Sequence, residues 1–175
     1  MSGVWELPFG KGKKYFSQHG VASQLLGNWQ MNGVVQLRSG QPYNLSVSGD
    51  VANIGNSVPW WNYARPNLVG NPKPAHPTTD QWFDPAAFTV PSFSYGNFGR
   101  NVLRTPFVAN TDFSLFKNFI LTETTTLSFR AEFFNIFNIQ NYGAPDSLIG
   151  DPAVGRITSN VIPPRQIQFG LRLAF

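Results

Sequence analysis

The chain has no cysteine, which excludes disulfide bridges and metal sites built on thiolates. Charged residues are scarce as well, because they make up 13% of the 175 residues, about half the usual share. His19 and His76 are the two histidines, and no spaced set of carboxylates accompanies them, so we expect no metal and no cofactor. The nucleophile elbow, the phosphate loop and the dinucleotide fingerprint are also missing, and we therefore expect no enzymatic activity.

Long apolar runs and helix signals are missing too. No apolar run approaches the ~18 residues that a transmembrane helix needs, and no window holds a helical period for three turns, because 14 prolines and 16 glycines are scattered along the chain. Residues 1–6 lack the basic and apolar regions of a signal peptide, so we expect an exported precursor to be longer than this chain. The cluster of Lys11, Lys13 and Lys14 is too small for a nucleic-acid surface, and we expect no nucleic-acid partner.

Aromatic residues and a two-residue alternation are abundant instead. Aromatics reach 15% of the chain, and the alternation is clearest at 165–175. One face of that segment carries Ile167, Phe169, Leu171, Leu173 and Phe175, and the other carries Gln166, Gln168, Gly170, Arg172 and Ala174. Because successive side chains of a strand point to opposite faces, the segment predicts a strand with one apolar face and one polar or small face.

Four further segments repeat this pattern, which predicts an all-β fold. The predicted strands form an antiparallel meander over residues 2–9, 28–47, 109–121, 125–138 and 165–175. Two long connections, at 49–108 and 139–164, alternate with shorter links. Long extracellular loops that alternate with short periplasmic turns are typical of outer-membrane barrels, which use about eight strands or more. We therefore interpret residues 1–175 as an incomplete segment of a transmembrane outer-membrane β-barrel.

Two other interpretations remain open from the residues alone. A secreted carbohydrate-binding β-sandwich, using Trp60, Trp61 and Trp82, would also be weakly charged and rich in aromatic residues. A small adhesin-like barrel that closes by oligomerisation would share the strand pattern. The barrel is favoured because Arg130 and Glu132 on an inward face suit a water-filled lumen, whereas a sandwich core would bury them at high cost.

Several stretches of the chain resemble the TonB-dependent receptor superfamily, and within it the Oar-like group with a carboxypeptidase-regulatory-like domain. The most specific stretch, Phe-Arg-Ala-Glu-Phe-Phe-Asn-Ile-Phe-Asn at 129–138, is similar to the penultimate strand of the family. The other matching stretches lie at 6–12, 25–30, 39–43, 99–104 and 112–117. The resemblance covers nearly the whole chain, but only the last part of a family architecture with about 22 strands and a plug in the lumen.

This resemblance implies a structural share in a barrel that takes up substrates with energy from the inner membrane, in the outer membrane of the cell. The implied partners are outer-membrane lipid, the remaining barrel strands and plug, and the barrel-assembly machinery. The TonB complex would be contacted only through an N-terminal part that this chain lacks. The last strand looks like the signal read by the assembly machinery, carried by Phe169, Leu171, Leu173 and Phe175.

Two more groups of side chains are candidates for functional contacts. The aromatic residues that crowd the first long connection are Trp60, Trp61, Tyr63 and Trp82. They could contact a ligand, or they could pack the loop onto itself or lie in an interfacial belt. The charged residues expected to face the lumen are Arg130, Glu132 and Arg172. Of these, Arg130 and Glu132 are two residues apart on one strand face and could pair with each other.

Overall fold

The computed structural model describes residues 1–10, 13–15, 25–53 and 64–175, which divide into two compact units. The sheet unit comprises Met1–Arg38, Ala109–Gln140 and Ile162–Phe175, and the loop unit comprises Ser39–Val108 and Asn141–Val161. The strands are β1 Ser2–Glu6, β2 Trp29–Arg38, β3 Pro42–Tyr43, β4 Ser46–Val47, β5 Asn67–Leu68, β6 Phe88–Thr89, β7 Leu103–Arg104, β8 Val108–Ile120, β9 Thr126–Phe134, β10 Asn141–Tyr142, β11 Leu148–Ile149, β12 Asn160–Ile162 and β13 Gln166–Ala174. A single turn of 3-10 helix covers Pro85–Ala87.

The sheet unit is built on a five-stranded antiparallel sheet in the order β1-β2-β8-β9-β13. β13 pairs with β9 from Gln166 opposite Phe134 to Ala174 opposite Thr126. β8 pairs with β9 on its other side, and a tight turn at 121–125 joins these two strands. The strands β1 and β13 are the two edges of the sheet, so the all-β antiparallel fold is confirmed and the sheet is open.

Both faces of the sheet follow the alternation in the sequence. Residues directly opposite each other in an antiparallel pair share a face. The register of β13 and β9 places Ile167 opposite Phe133 and Leu171 opposite Phe129. The same face carries aromatic contacts between neighbouring strands, including a stacked pair of Phe129 and Phe169 with ring centroids 6.3 Å apart. The apolar residues of three neighbouring strands therefore form one continuous surface.

Three of the predicted strands are clearly shorter in the structure. β1 ends at Glu6 rather than at 9, and β9 ends at Phe134 rather than at 138. β2 ends at Arg38 rather than at 47, and the residues that continue the alternation, Tyr43 and Val47, pair instead with Leu103 and Ile149 in the loop unit. The backbone leaves the sheet near Gly40, where an added Cβ would lie 1.8 Å from the carbonyl oxygen of Thr105. The apolar alternation at 43–47 thus marks burial in a different core from the one the sequence predicts.

The loop unit has a hydrophobic core of its own, although the sequence predicts long loops there. The core residues, each 9% exposed or less, are Leu45, Val47, Phe83, Ala87, Phe88, Phe98, Leu103 and Ile149. The ring of Phe88 packs edge-on against both Phe83 and Phe98, at centroid distances of 5.9 and 4.9 Å. Burial of a phenylalanine side chain contributes about 1.5–3 kcal/mol. The loops are therefore held together as a folded unit by the hydrophobic effect.

Asparagine side chains supply the backbone of this unit with hydrogen-bond partners that regular strands would otherwise provide. Asn67 accepts a hydrogen bond from the backbone N–H of Asn97 at 3.1 Å, and Asn97 accepts one from Leu68 at 2.7 Å. Gly96 beside them allows a close backbone approach, because a Cβ there would lie 1.8 Å from the carbonyl oxygen of Arg65. The abundance of Asn and Gly in the long connections thus has a structural cause.

The end of β9 is fixed by Asn135, which is 1% exposed and has a φ of 49°. Its amide donates to the carbonyl oxygens of Ile139 at 2.9 Å and Pro163 at 3.1 Å, and its Oδ1 accepts from the N–H of Ile139 at 3.0 Å. Asparagine tolerates the left-handed region better than most residues. The strand therefore ends at Phe134 rather than at 138, and the residues after it are tied to the start of β13.

Replacing Asn135 tests this arrangement. Asn135→Ala is expected to lower the free energy of unfolding by about 2–4 kcal/mol, because it leaves buried backbone groups unpaired and places a Cβ without a polar side chain at positive φ. Asn135→Gly keeps the backbone conformation and should lower it by about 1–3 kcal/mol. Urea unfolding measures both, with the exposed Asn160→Ala as control. Equal stability of all three variants and the parent would contradict the assignment.

Candidate functional site

The apolar face of the sheet is a candidate functional surface. On β13, Phe169 is 67% exposed and Leu171 is 73% exposed, and their neighbours Ile167 and Leu173 are also more than half exposed. Water-soluble proteins rarely leave a contiguous apolar surface of this kind uncovered. The strand can therefore contact a lipid phase with this face while its backbone stays hydrogen-bonded to β9.

Polar residues cover the opposite face, where the sequence predicts a lumen. Arg130, Glu132 and Arg172 all lie on this face. The predicted pairing of Arg130 with Glu132 is not formed, because the ion pairs among the described residues are Lys13–Glu6 and Arg156–Asp80. Arg130 instead lies over the ring of Phe116, directly opposite it on β8, with 5.4 Å between the guanidinium and the ring centroid. A cation–π contact therefore replaces the expected ion pair.

Neutral hydrogen bonds link further side chains of the polar face. Ser128 donates to Asn118 directly opposite it, at 2.7 Å, and Gln30 donates to Asn32 at 3.0 Å. Asn118 and Ser128 also line an open recess of about 490 Å³, near the 121–125 turn, together with Gln30 and the paired Glu6. Such a surface of amides and hydroxyls suits contact with water or with a polar chain.

Lys117 is the exception on the apolar face, and it is 1% exposed. Its ammonium donates to the carbonyl oxygen of Gly27 and lies 5.3 Å from the ring centroid of Trp29 and 4.8 Å from that of Phe119. Two aromatic rings and a carbonyl oxygen thus replace the water that a lysine on this face would lose.

The predicted assembly signal lies at an edge of the sheet. Phe169, Leu171 and Leu173 are on β13, whose second side carries no strand in the described sheet, and Phe175 follows the strand with 97% of its surface exposed. A strand edge with an exposed aromatic residue at its end is free to be recognised by another β-structure.

The predicted loop aromatics have different outcomes. Trp60, Trp61 and Tyr63 lie outside the described residues. Trp82 is half-buried, and its indole N–H donates to the carbonyl oxygen of Arg104 at 2.7 Å. Its ring also lines a cleft of about 330 Å³ in the loop unit. Trp82 therefore packs the loop onto itself and also presents a ring surface to a cleft.

This cleft contains functional candidates that sequence reasoning missed. Tyr43 and Phe83 form its floor, with ring centroids 6.4 Å apart, and Lys73 and Arg104 lie at its rim. The hydroxyl of Tyr43 is shielded from solvent and has no hydrogen-bond partner. Burial raises the pKa of this phenol, so the group is neutral over the physiological pH range. The sequence places Tyr43 in a predicted strand, and no local pattern links it to residues 30 to 60 positions away.

Within the described ranges, no set of three or more His, Asp or Glu side chains is placed to hold a metal ion. His76 is exposed in the loop unit. No helix in the described part of the chain is both long and apolar enough to cross a membrane.

Comparison with known proteins gives one family. The family model described as "Outer membrane beta barrel domain" matches residues 1–168 of the 175. No curated protein and no solved structure matches the chain. The match spans all five strands of the sheet and both long connections, up to the third residue of β13. The exposed apolar face, the polar opposite face and this match agree, and the chain belongs to the outer membrane β-barrel domain family and is located in the outer membrane.

Proposed function

We propose that the chain is a structural segment of the barrel of a TonB-dependent receptor of the Oar-like group, which takes up substrates across the outer membrane. The observation that carries this proposal is the open five-stranded sheet with two long connections folded around their own core. Five strands are too few to close a barrel, since the smallest single-chain barrels use about eight. Further strands are therefore needed, as a large receptor would supply.

The stretch at 129–138, which resembles the receptor family most specifically, also supports the proposal through its role in the fold. Phe129 and Phe133 lie on the apolar face, and Arg130 and Glu132 lie on the polar face. Asn135 then ends the strand and connects it to the segment before β13. These five residues thus suit a strand that separates lipid from water and turns into a long connection.

The partners we propose follow from the surfaces of the sheet. Outer-membrane lipid would cover the apolar face, and the remaining strands would pair with the edges β1 and β13. The plug of the full receptor would face the amide- and hydroxyl-bearing recess beside Asn118 and Ser128. The barrel-assembly machinery would bind β13, and the TonB complex would act through other parts of the receptor. We propose no catalytic role and no cofactor for the segment.

A secreted carbohydrate-binding β-sandwich is not favoured. In a sandwich the apolar face of the sheet forms the core, and its residues are buried against a second sheet. Phe169 and Leu171 are 67% and 73% exposed, and the buried hydrophobic cluster of the chain lies in the loop unit instead.

A charge on the apolar face tests contact with lipid. Leu171→Arg places a guanidinium near the middle of β13, where the hydrocarbon core of a membrane would cost it about 2–4 kcal/mol. We expect less heat-modifiable protein in the outer membrane, measured by gel migration of heated and unheated membrane extracts of the full-length protein. Gln168→Arg, on the polar face of the same strand, is the matched control and should insert normally. Equal loss in both variants would contradict the assignment of faces.

The last aromatic residue tests recognition by the assembly machinery. Phe175→Ala, or deletion of Phe175, is expected to reduce the amount of full-length protein inserted in the outer membrane several-fold, because an exposed aromatic at the strand end is removed. Quantitative immunoblotting of outer-membrane fractions measures this. Phe93→Ala removes a phenylalanine that is also highly exposed, but in the loop unit, and should leave the amount unchanged. Unchanged levels of the Phe175 variants would refute the proposed signal.

Dependence on inner-membrane energy tests the uptake role. Two single mutants, one without the gene for the full-length protein and one without TonB, are grown on a panel of media that each contain one nutrient source. Both mutants should grow poorly on the same nutrient. The double mutant should grow on it no worse than the TonB mutant, because both lesions block one uptake route. If the gene deletion impairs growth on a nutrient that cells lacking TonB still use normally, the protein is not a TonB-dependent receptor.

A further inference from the structure

The cleft in the loop unit has the composition of a small-molecule site. Its volume of about 330 Å³ lies at the lower end of the range for ligand pockets, roughly 300–1,000 Å³. Such pockets are mostly apolar and carry a few polar groups that orient the ligand. Here Tyr43, Phe83 and Trp82 provide the ring surfaces, and Pro72 and Pro74 border them. The cleft can therefore accept a flat apolar surface of a small molecule.

Two cations at the rim give the cleft a charge preference. Among the described residues, neither Lys73 nor Arg104 forms an ion pair, because the two ion pairs present involve other residues. Arg104 donates to the carbonyl oxygen of Gly40 at 3.1 Å, which holds its side chain in place while it keeps its positive charge. A carboxylate accepts charge-assisted hydrogen bonds from both types of cation. The rim thus favours an anionic group.

The hydroxyl of Tyr43 is one of three unpaired buried side-chain atoms among the described residues, and the one that belongs to a residue lining the cleft. It is shielded from solvent and has no partner, although buried hydroxyls are nearly always hydrogen-bonded. An unpaired buried hydroxyl destabilises the free protein. A polar group of a ligand in the cleft that came within hydrogen-bond distance of this hydroxyl would supply the partner that the free protein lacks.

We propose that this cleft binds a small carboxylate attached to a ring with one apolar face, with the ring against Trp82 and Tyr43 and the carboxylate at Lys73 and Arg104. Two sources share this chemistry, namely aromatic carboxylic acids and the uronic acids of acidic sugars. Both present a flat apolar face to aromatic side chains and a carboxylate to the cations. In the family's orientation the long connections are extracellular, so the site would capture such a molecule at the cell surface.

Binding is to be measured by isothermal titration calorimetry on the full chain in detergent micelles. The probes are 4-hydroxybenzoate and glucuronate, and the neutral controls are phenol and glucose. We expect saturable binding of at least one acid with a Kd below about 1 mM, weakening with salt, and no saturation by the neutral controls. Binding of 4-hydroxybenzoate alone would identify aromatic carboxylic acids as the ligands, and binding of glucuronate alone would identify uronic acids. The measurement needs no energy from the inner membrane, so its result is independent of the proposed uptake role.

Two variants distinguish a binding role of the cleft residues from a structural one. Lys73→Ala should raise the Kd about tenfold through loss of a charge-assisted contact, and Lys14→Ala, an exposed lysine of the sheet unit, should leave it unchanged. Tyr43→Phe should raise the Kd about three- to tenfold, yet leave the melting temperature unchanged or higher, because it removes an unpaired buried hydroxyl. The proposal fails if neither acid saturates at 10-fold higher concentration (about 10 mM), if the neutral controls bind equally well, or if both variants keep the parent Kd.

Discussion

The peptide backbone of a strand in hydrocarbon must find all its hydrogen-bond partners within the protein. In the described sheet this constraint is met by ladders between neighbouring strands, and the ladder between β9 and β13 runs for the full length of both strands. The side chains on the lipid side then need no partner except lipid. This is why large apolar side chains such as Leu171 can be exposed on a regular, fully paired strand.

The two units of the chain use phenylalanine side chains in different ways. In the sheet unit, phenylalanines lie on an exposed face and contact one another across strands, as Phe129 and Phe169 do. In the loop unit, phenylalanines such as Phe83 and Phe88 are buried around a common centre. Water drives the second arrangement through the hydrophobic effect, whereas the first depends on backbone pairing. A loop unit with its own core can keep a cleft in a defined shape.

Among the described residues, three buried side-chain polar atoms have no hydrogen-bond partner, namely Arg38 Nε, the hydroxyl of Tyr43 and Asn110 Oδ1. Asn135 uses both its amide hydrogens and its carbonyl oxygen at the end of β9, and Lys117 is surrounded by a carbonyl oxygen and aromatic rings. Of the three unpaired atoms, the hydroxyl of Tyr43 belongs to a residue that lines the cleft of the loop unit. In the proposed complex, a ligand of the cleft would supply the hydrogen bond that the hydroxyl of Tyr43 lacks.

The sequence by itself determined the class of fold, the five segments that contain the sheet strands and the alternation of faces within them, but not where β1, β2 and β9 end. It could do so because a strand alternates its side chains with a fixed period of two, so that a local pattern such as 165–175 is sufficient. Only the tertiary structure decided that Tyr43 and Val47 lie outside the sheet. It also decided that Arg130 contacts Phe116 rather than Glu132. Finally, it brought Tyr43, Lys73 and Arg104 together at one cleft. These contacts join residues far apart in the chain, and the irregular backbone between them has no period from which their distance could be read.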